Sequence, residues 1–365
     1  MLKERGTKKE TIIALETTTT VSISNDDKRN KNSDIDDIAS RYNGNRKIEQ
    51  IVCDCDDQFF EVVRGEEVSD VVLSLEYDGT NYNGWQRQGI QENQLAKSVQ
   101  GALEYATAAA LSSCSGKKEK VVMIQASGRT DKGVHALDQR CVLRVPRSAM
   151  LIIESSSSSS FLAKVNSNLP EDIAVLNYQH FLERKILSIR KKRYTYIIQQ
   201  PSSFAEGKLA RPNAELHNYT WYLPQQLNLG AIKTAMKYLE GFHDFNAVSC
   251  KTGRPNTCRT ILHADAFLVK NQSDLPWFKK LSKQAKTTSP VARNNFIVLE
   301  FEGDGFLKHQ VRQMVSVIRK VGEEIWPPES MSDILQQQEG SSYKKLPSAP
   351  SRGLWLERVW TAHEI

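Results

Sequence analysis

The apolar positions of this chain change period along its length, and those changes predict its elements. Val71-Val72-Leu73-Ser74-Leu75-Glu76-Tyr77 is a β-branched, apolar run of strand length and opens the ordered body. Asp78-Gly79-Thr80 then marks a turn into an aromatic-polar loop, Tyr82-Asn83-Gly84-Trp85-Gln86-Arg87-Gln88, in which packing is the plainer role for Trp85. From Asn93, placed as a cap, Leu95, Val99, Leu103, Ala106 and Ala110 recur at helical spacing. A second strand, Val121-Val122-Met123-Ile124, delivers the polar loop Ala126 to Ala136. Further on come a strand from Ile186 to Gln199, a helix from Pro224 to Glu240 and strands near Ile261 to Val269 and Asn295 to Phe301. The last amphipathic helix follows Gly305-Phe306, with Leu307, Val311, Met314/Val315 and Ile318 in its stripe and Lys308, Arg312 and Arg319 on one basic side. A solvated face is the plain reading for Lys308 and Arg319.

Low-complexity pieces interrupt this pattern at Ser112 to Lys118, Ser155 to Ser160, Lys279 to Ser289 and Gln336 to Ser342, and each reads as a surface insertion. Residues 1–70 lack spaced apolar positions and are rich in Thr, Asn, Asp and Lys, which predicts a disordered polar extension. Residues 71–185 and 186–365 divide as the two halves of the folded body. The 365 residues suffice for a sizeable core without staples.

Charge sharpens the division. Residues 1–70 carry 11 Lys and Arg against 16 Asp and Glu, whereas the rest carries 38 against 27. A basic body points to a polyanionic partner, with nucleic acid the usual one. The six cysteines form no Cys-x-x-Cys pair, so neither a zinc site nor a disulfide framework is expected, and the Cys53-Asp54-Cys55-Asp56-Asp57 stretch reads as an acidic tail segment. No apolar run spans a bilayer and no hydrophobic signal precedes the body, which predicts a soluble, non-secreted protein without a membrane partner. The acidic N-terminal extension does not fit a transit peptide, so cytoplasm and organelle both stay open.

The chemistry concentrates in Ser127-Gly128-Arg129-Thr130-Asp131-Lys132-Gly133-Val134-His135. Strand, glycines and polar residues in this order present one carboxylate, Asp131, among Arg129, Lys132 and His135. Such a loop attracts a polyanion and offers a carboxylate at its centre, although Asp-x-Gly alone is also an ordinary turn.

Several ordered motifs resolve that choice. Tyr77-Asp78-Gly79-Thr80-x-Tyr82-x-Gly84-Trp85-Gln86-x-Gln88 and Gly128-Arg129-Thr130-Asp131-x-Gly133-Val134-His135-Ala136 resemble the two N-terminal signatures of the TruA family of tRNA pseudouridine synthases. Leu169-Pro170-x-Asp172-Ile173, Lys192-Arg193-Tyr194-x-Tyr196, Gly241-x-His243-Asp244-Phe245, Gly305-Phe306-Leu307 leading to Val311-Arg312-x-Met314-Val315, and Ala349-Pro350-x-x-Gly353-Leu354 follow in the family's order. The resemblance runs from Val71 onward, and a series of motifs in order is far more specific than any one of them.

It implies an α+β fold of two similar halves, with helices on a mainly antiparallel sheet and a pseudouridine synthase cleft between the halves. It also implies uridine isomerisation in tRNA, at the anticodon stem-loop (positions 38 to 40), by a homodimer that needs no cofactor and no metal. Asp131 matches the family's catalytic aspartate, Arg312 the arginine that pairs with it, and Tyr194 the tyrosine that stacks on the target uracil and whose phenol is a candidate acceptor for the C5 proton. Arg129 matches the arginine that takes the place of the extruded base, and Lys132 and His135 accompany it as substrate-binding candidates, a structural role being the plainer one for His135. His243 and Asp244 read as packing and loop-positioning residues, and Tyr196 as a core tyrosine.

Two positions depart from the family pattern. Asp138 and Ser316 stand where glycine is common, with loop shape rather than chemistry the expected consequence. The rival from another class is a non-catalytic tRNA-binding or chaperone protein using the same basic cleft. A nucleoside hydrolase is weaker still, because no second catalytic carboxylate or calcium-binding aspartate cluster stands in a motif.

Overall fold

The computed structural model describes residues 67–88, 97–155, 158–202, 212, 214–250, 256–277, 294–336 and 347–362. The polar extension up to residue 66, the Cys53 to Asp57 segment, Asn93, Leu95, the Lys279 to Ser289 stretch and all but Gln336 of Gln336 to Ser342 lie outside the described residues.

Strand β1 (Val68–Tyr77) starts three residues before the predicted Val71. Its early start has a physical reason in Asp70, which is buried and accepts from Arg144 Nε at 2.7 Å and Nη2 at 3.0 Å. Helix α1 (Val99–Ser115) begins later than the apolar spacing predicts. Ser98 rather than Asn93 caps it, with Oγ accepting from Gly101 N at 3.2 Å. It ends at Gly116 (φ +73), so Ser112 and Ser113 close the helix, bonding back to the carbonyls of Ala108 and Ala110, instead of starting an insertion.

Strands β2 (Val122–Ala126) and β3 (His135–Pro146) flank the Asp131 loop. Helices α2 (Arg147–Glu154) and α3 (Ser158–Asn168) follow, so part of the serine-rich run belongs to a helix. Next come β4 (Ile173–Phe181), β5 (Ile189–Pro201) and the short β6 (Trp221–Tyr222). Helix α4 (Leu229–Lys237) is shorter than predicted because Asn228 caps it, accepting from Ala231 N at 3.0 Å. Strands β7 (Gly241–Asp244), β8 (Cys258–Val269) and β9 (Asn294–Gly303) lead to helix α5 (Gln310–Gly322), helix α6 (Ser330–Gln336) and β10 (Leu354–Thr361).

All ten strands join one sheet in the order β4-β1-β3-β10-β5-β9-β8-β7, with β2 on β3 and β6 on β5. Among the described residues only β3–β10 and β5–β6 pair in parallel, which makes this an α+β fold with a mainly antiparallel sheet. Strands from residues 68–181 make one side of the sheet and strands from 189–361 the other, and the two meet where Trp355 pairs with His135 and Leu356 with Ala136.

Alternation along the strands feeds two cores. Leu73, Leu75, Tyr196, Ile198, Leu299 and Phe301 face the helices, with Leu103, Phe161, Ile232, Met314 and Ile318 opposite them. Ile197, Val298 and Trp355 face the other way and are covered by Leu216 and Trp277. Each large apolar side chain buried in this way contributes roughly 1.5–3 kcal/mol. None of the described helices is long and apolar enough to cross a membrane.

Candidate active site

Because β3 and β10 run parallel at the centre of the sheet, both begin at the same edge, and the segments that enter them become neighbours. Those segments, together with the start of α5 and the inner face of β5, enclose a cleft of ≈ 1140 Å³. Its walls include Arg129, Asp131, Lys132, Lys192, Tyr194, His309 and Arg312.

The Asp131 loop is held from beneath by the turn after β1. A Cβ on Gly79 would stand 2.0 Å from the Val134 carbonyl oxygen, so only glycine allows the two segments to approach this closely. Trp85, buried as the plain reading expects, donates its backbone N–H to Thr130 O at 3.0 Å, and the Tyr77 hydroxyl lies 2.7 Å from Thr130 Oγ1. Gln139 supports the other side through Nε2 to Gly128 O at 2.7 Å.

Arg312 approaches from the first turn of α5. Its Nη1 reaches Asp131 Oδ2 at 3.3 Å, and its Nε donates to Ala349 O at 2.7 Å. The Ala349 N–H returns to Arg312 O at 3.1 Å, while Ser316 Oγ donates to Pro347 O at 2.7 Å. Ser316, one of the two departures read from the sequence, therefore ties the segment before β10 to α5. Asp138, the other departure, accepts from Arg140 Nε at 3.0 Å and from Val359 N at 3.1 Å, joining β3 to β10.

A second side chain stands on the same oxygen. His309 Nε2 lies 3.4 Å from Asp131 Oδ2, and its Nδ1 lies 3.1 Å from Cys250 Sγ. A proton on Nε2 serves both contacts, with Nδ1 accepting from the thiol. His309 reaches this position from a left-handed conformation (φ 60) at the helix cap, a strain of the kind found at functional sites. Both partners crowd Oδ2, so among the described residues no hydrogen bond or ion pair occupies Oδ1.

Tyr194 lines the cleft from β5 with its ring edge-on to Phe306, centroids 5.1 Å apart. Burial pushes its phenol well above the usual tyrosine range, with the Tyr77 and Asp131 charges adding to the effect. The phenol is therefore held in its neutral form, which favours a stacking ring over a proton acceptor. Arg129 and Lys132 lie exposed on the cleft rim.

His135 is not in the cleft. It is fully buried, stacked on Trp355 with centroids 4.2 Å apart, with Nδ1 3.0 Å from Asp78 Oδ1 and Nε2 3.0 Å from Asn218 O. Contact with a substrate from this position has no open path, and the structural role is the one its surroundings match. Burial pushes Asp78 up, but His135, Thr80 and Tyr219 outweigh that and hold its carboxyl well below the usual range.

His243 and Asp244 do not pair with each other. His243 Nε2 faces Glu240 O at 2.9 Å, and Asp244 caps the next turn through Asn246 N at 2.9 Å. Tyr196 is buried with its hydroxyl on Pro350 O at 2.8 Å. Lys308 is exposed but lines the cleft, while Arg319 pairs with Glu323 at 2.7 Å and lies over Trp221 at 5.3 Å, so the supposed solvated face is partly packed.

Comparison with known proteins decides the family. The tRNA pseudouridine synthase A of Moorella thermoacetica is 32% identical over 289 residues, 79% of this chain and 97% of the relative. That of Pseudothermotoga lettingae is 31% identical over 297 residues, 78% of this chain and 96% of the relative. The chain belongs to the tRNA pseudouridine synthase family. The tRNA pseudouridine synthase A of Thermotoga petrophila is 28% identical over 293 residues, and a family model described as tRNA pseudouridine synthase matches residues 235–360. Arg312 lies inside that matched region and Asp131 before it. In this member of the isomerase family, the Asp131 carboxylate and the Arg312 guanidinium meet at 3.3 Å in the cleft.

Two cleft residues of this family member escaped the sequence reading. His309 sits three residues before Arg312, a spacing that puts both at one end of a helix, and Lys192 sits two before Tyr194, a spacing that puts both on one strand face. Those offsets were the available signals.

Proposed function

We propose that this protein isomerises uridine to pseudouridine in tRNA, within the anticodon stem-loop, with Asp131 as the catalytic carboxylate. The observation that carries this reading is the asymmetry at Asp131: Arg312 and His309 hold Oδ2, and Oδ1 is left to the cleft beside Tyr194. Isomerisation breaks the bond from C1′ to N1, turns the uracil within the site and joins C5 to C1′. No electrons are exchanged with a second reactant, so the reaction calls for no redox cofactor. An ionised carboxylate with one free oxygen serves either as nucleophile at C1′ or as base at C2′ on the way to a glycal.

Arg312 fixes the carboxylate, and its Nε contact to Ala349 fixes Arg312 in turn. Tyr194, neutral, supplies a ring for the uracil to stack on rather than a base. Arg129, exposed at the rim, is placed to fill the space an extruded nucleotide leaves, and extrusion costs a few kcal/mol. Lys132 offers charge to the phosphates. In this reading the enzyme is a homodimer, which sedimentation of the full chain with and without tRNA tests.

Tritium release from C5-labelled tRNA transcripts, without added metal or nucleotide, tests the activity. Release is expected from the wild type, and it should vanish when the anticodon-stem uridines are replaced by cytidines. Binding of the same transcripts with no release would favour a non-catalytic tRNA-binding protein.

A further inference from the structure

Lys192 enters the cleft on the same face of β5 as Tyr194, two residues away. Its ammonium lies across Gly128, where a Cβ would stand 3.1 Å from Lys192 Nζ and 3.7 Å from the Tyr194 hydroxyl. The absence of a side chain at Gly128 is what lets ammonium, phenol and the Asp131 loop converge. Among the described residues this ammonium makes no hydrogen bond and no ion pair, although the side chain is half-buried. A desolvated, unpaired cation inside an active-site cleft has a task only when an anion arrives.

The isomerisation proposed above, on which this inference rests, creates such an anion. When C1′–N1 breaks, the bonding pair leaves with the base and spreads over N1, O2 and O4, while Asp131 bonds to C1′ or takes the C2′ proton. We propose that the Lys192 ammonium binds and stabilises this uracil anion while the base turns, as a catalytic residue of the site. When C5 joins C1′ the pair returns to the new bond as the C1′–Asp131 bond breaks or the C2′ proton returns from Asp131. The C5 proton then leaves to Asp131 or water and N1 takes one back from solvent, so the ammonium has neither given nor taken a proton. A backbone phosphate is the other anion available, but Lys192 sits beside Tyr194 under the loop, whereas Arg129, Lys132 and Lys308 are exposed where a hydrated phosphate passes.

The site makes the role pH-dependent. Burial, helped by repulsion from Arg259 at the start of β8, pulls Lys192 down to about 8, with Asp304 at the end of β9 opposing. Arg129, Asp131 and Lys132 on the loop, Tyr194 on β5, Lys308, His309 and Arg312 at the start of α5, and Arg352 before β10 are the other charged or titratable side chains lining the cleft. Raising the pH through about 8 therefore removes the positive charge from the site.

The test compares the wild type, Lys192→Gln and Lys192→Arg by single-turnover tritium release at saturating tRNA, and by tRNA affinity, from about pH 6.5 to 9.5, a range that brackets the Lys192 titration. Lys192→Gln should slow release about 100-fold at pH 7, in the range of lost transition-state donors, with Kd changed less than about threefold. The wild-type rate should fall as pH rises through about 8, and Lys192→Arg should not share that fall, because a guanidinium keeps its charge. A Lys192→Gln rate close to wild type at saturating tRNA, with weakened affinity, would mark a phosphate contact and overturn the proposal. A pH fall shared by Lys192→Arg would overturn it as well. Wild-type protein without any release would instead bring down the assigned activity itself.

Discussion

The aspartate–arginine pairs Asp70–Arg144, within the sheet, and Asp131–Arg312, between a loop and helix α5, are built differently. Asp70 and Arg144 are buried, joined by two hydrogen bonds of 2.7 and 3.0 Å, and Asp70 Oδ2 also accepts from Lys185 N at 2.7 Å. Both oxygens are occupied. Asp131 and Arg312 are partly open, joined through one oxygen at 3.3 Å, and the second oxygen is left over. The first pair fastens β1 to β3; the second holds a carboxylate still without using it up. Asp78, immediately behind the site, follows the first pattern, with both oxygens engaged by His135, Thr80 and Tyr219. A reactive carboxylate is thus recognisable by unspent hydrogen-bonding capacity rather than by having an arginine beside it.

This contrast is open to mutation. The largest effect on folding is expected from Asp70→Asn, which leaves Arg144 charged and buried without its partner and should lower unfolding free energy by about 3–5 kcal/mol in a denaturant titration. A loss below about 1 kcal/mol would mean that the pair is not the saturated tie described. Next, Arg312→Lys keeps the charge but loses the Nε contact to Ala349, and should reduce turnover about 10–100-fold while tRNA affinity changes little.

Smaller still is Tyr194→Phe. With a phenol that stays protonated, turnover should remain within about fivefold of wild type, whereas a loss of ~10²–10⁴-fold would restore the phenol as a base. The smallest expected shift is a gain. Lys192→Met should melt slightly higher than wild type at pH 7, because the folded protein holds a charged lysine whose ionisation is depressed to about 8. The unfolded chain binds that proton more tightly, so wild-type stability rises as pH climbs from about 8 towards about 10.4 and the difference between the two proteins should close there.

How far these features were legible in the sequence follows from which forces set them. Strand and helix periods, the Gly-Arg-Thr-Asp loop and the roles of Trp85 and Tyr196 were readable, because local alternation and turn chemistry determine them. The start of α1 was not: Asn93 and Ser98 are both good caps, and the choice rests on tertiary contacts, with Val99 N and Gln100 N bonding to the carbonyls of Gly84 and Trp85. His135 looked like a member of a basic loop, but the parallel pairing of β3 with β10 turns it onto Trp355, and no local pattern announces that pairing. His309 was hidden because its left-handed backbone, not its residue type, aims it at Asp131. The meeting of Asp131 with Arg312, 181 residues later, came from family resemblance and not from spacing.

The measurement that bears most directly on Asp131 is the single-turnover tritium-release rate of Asp131→Asn, taken together with its tRNA Kd and its unfolding midpoint on the same preparation. The expected result is a rate reduced about 10³-fold or more, Kd within about threefold and an unchanged midpoint, since the free oxygen contributes chemistry rather than packing. A rate within about tenfold of wild type, or a loss of binding equal to the loss of rate, would contradict the assignment of the chemistry to this carboxylate.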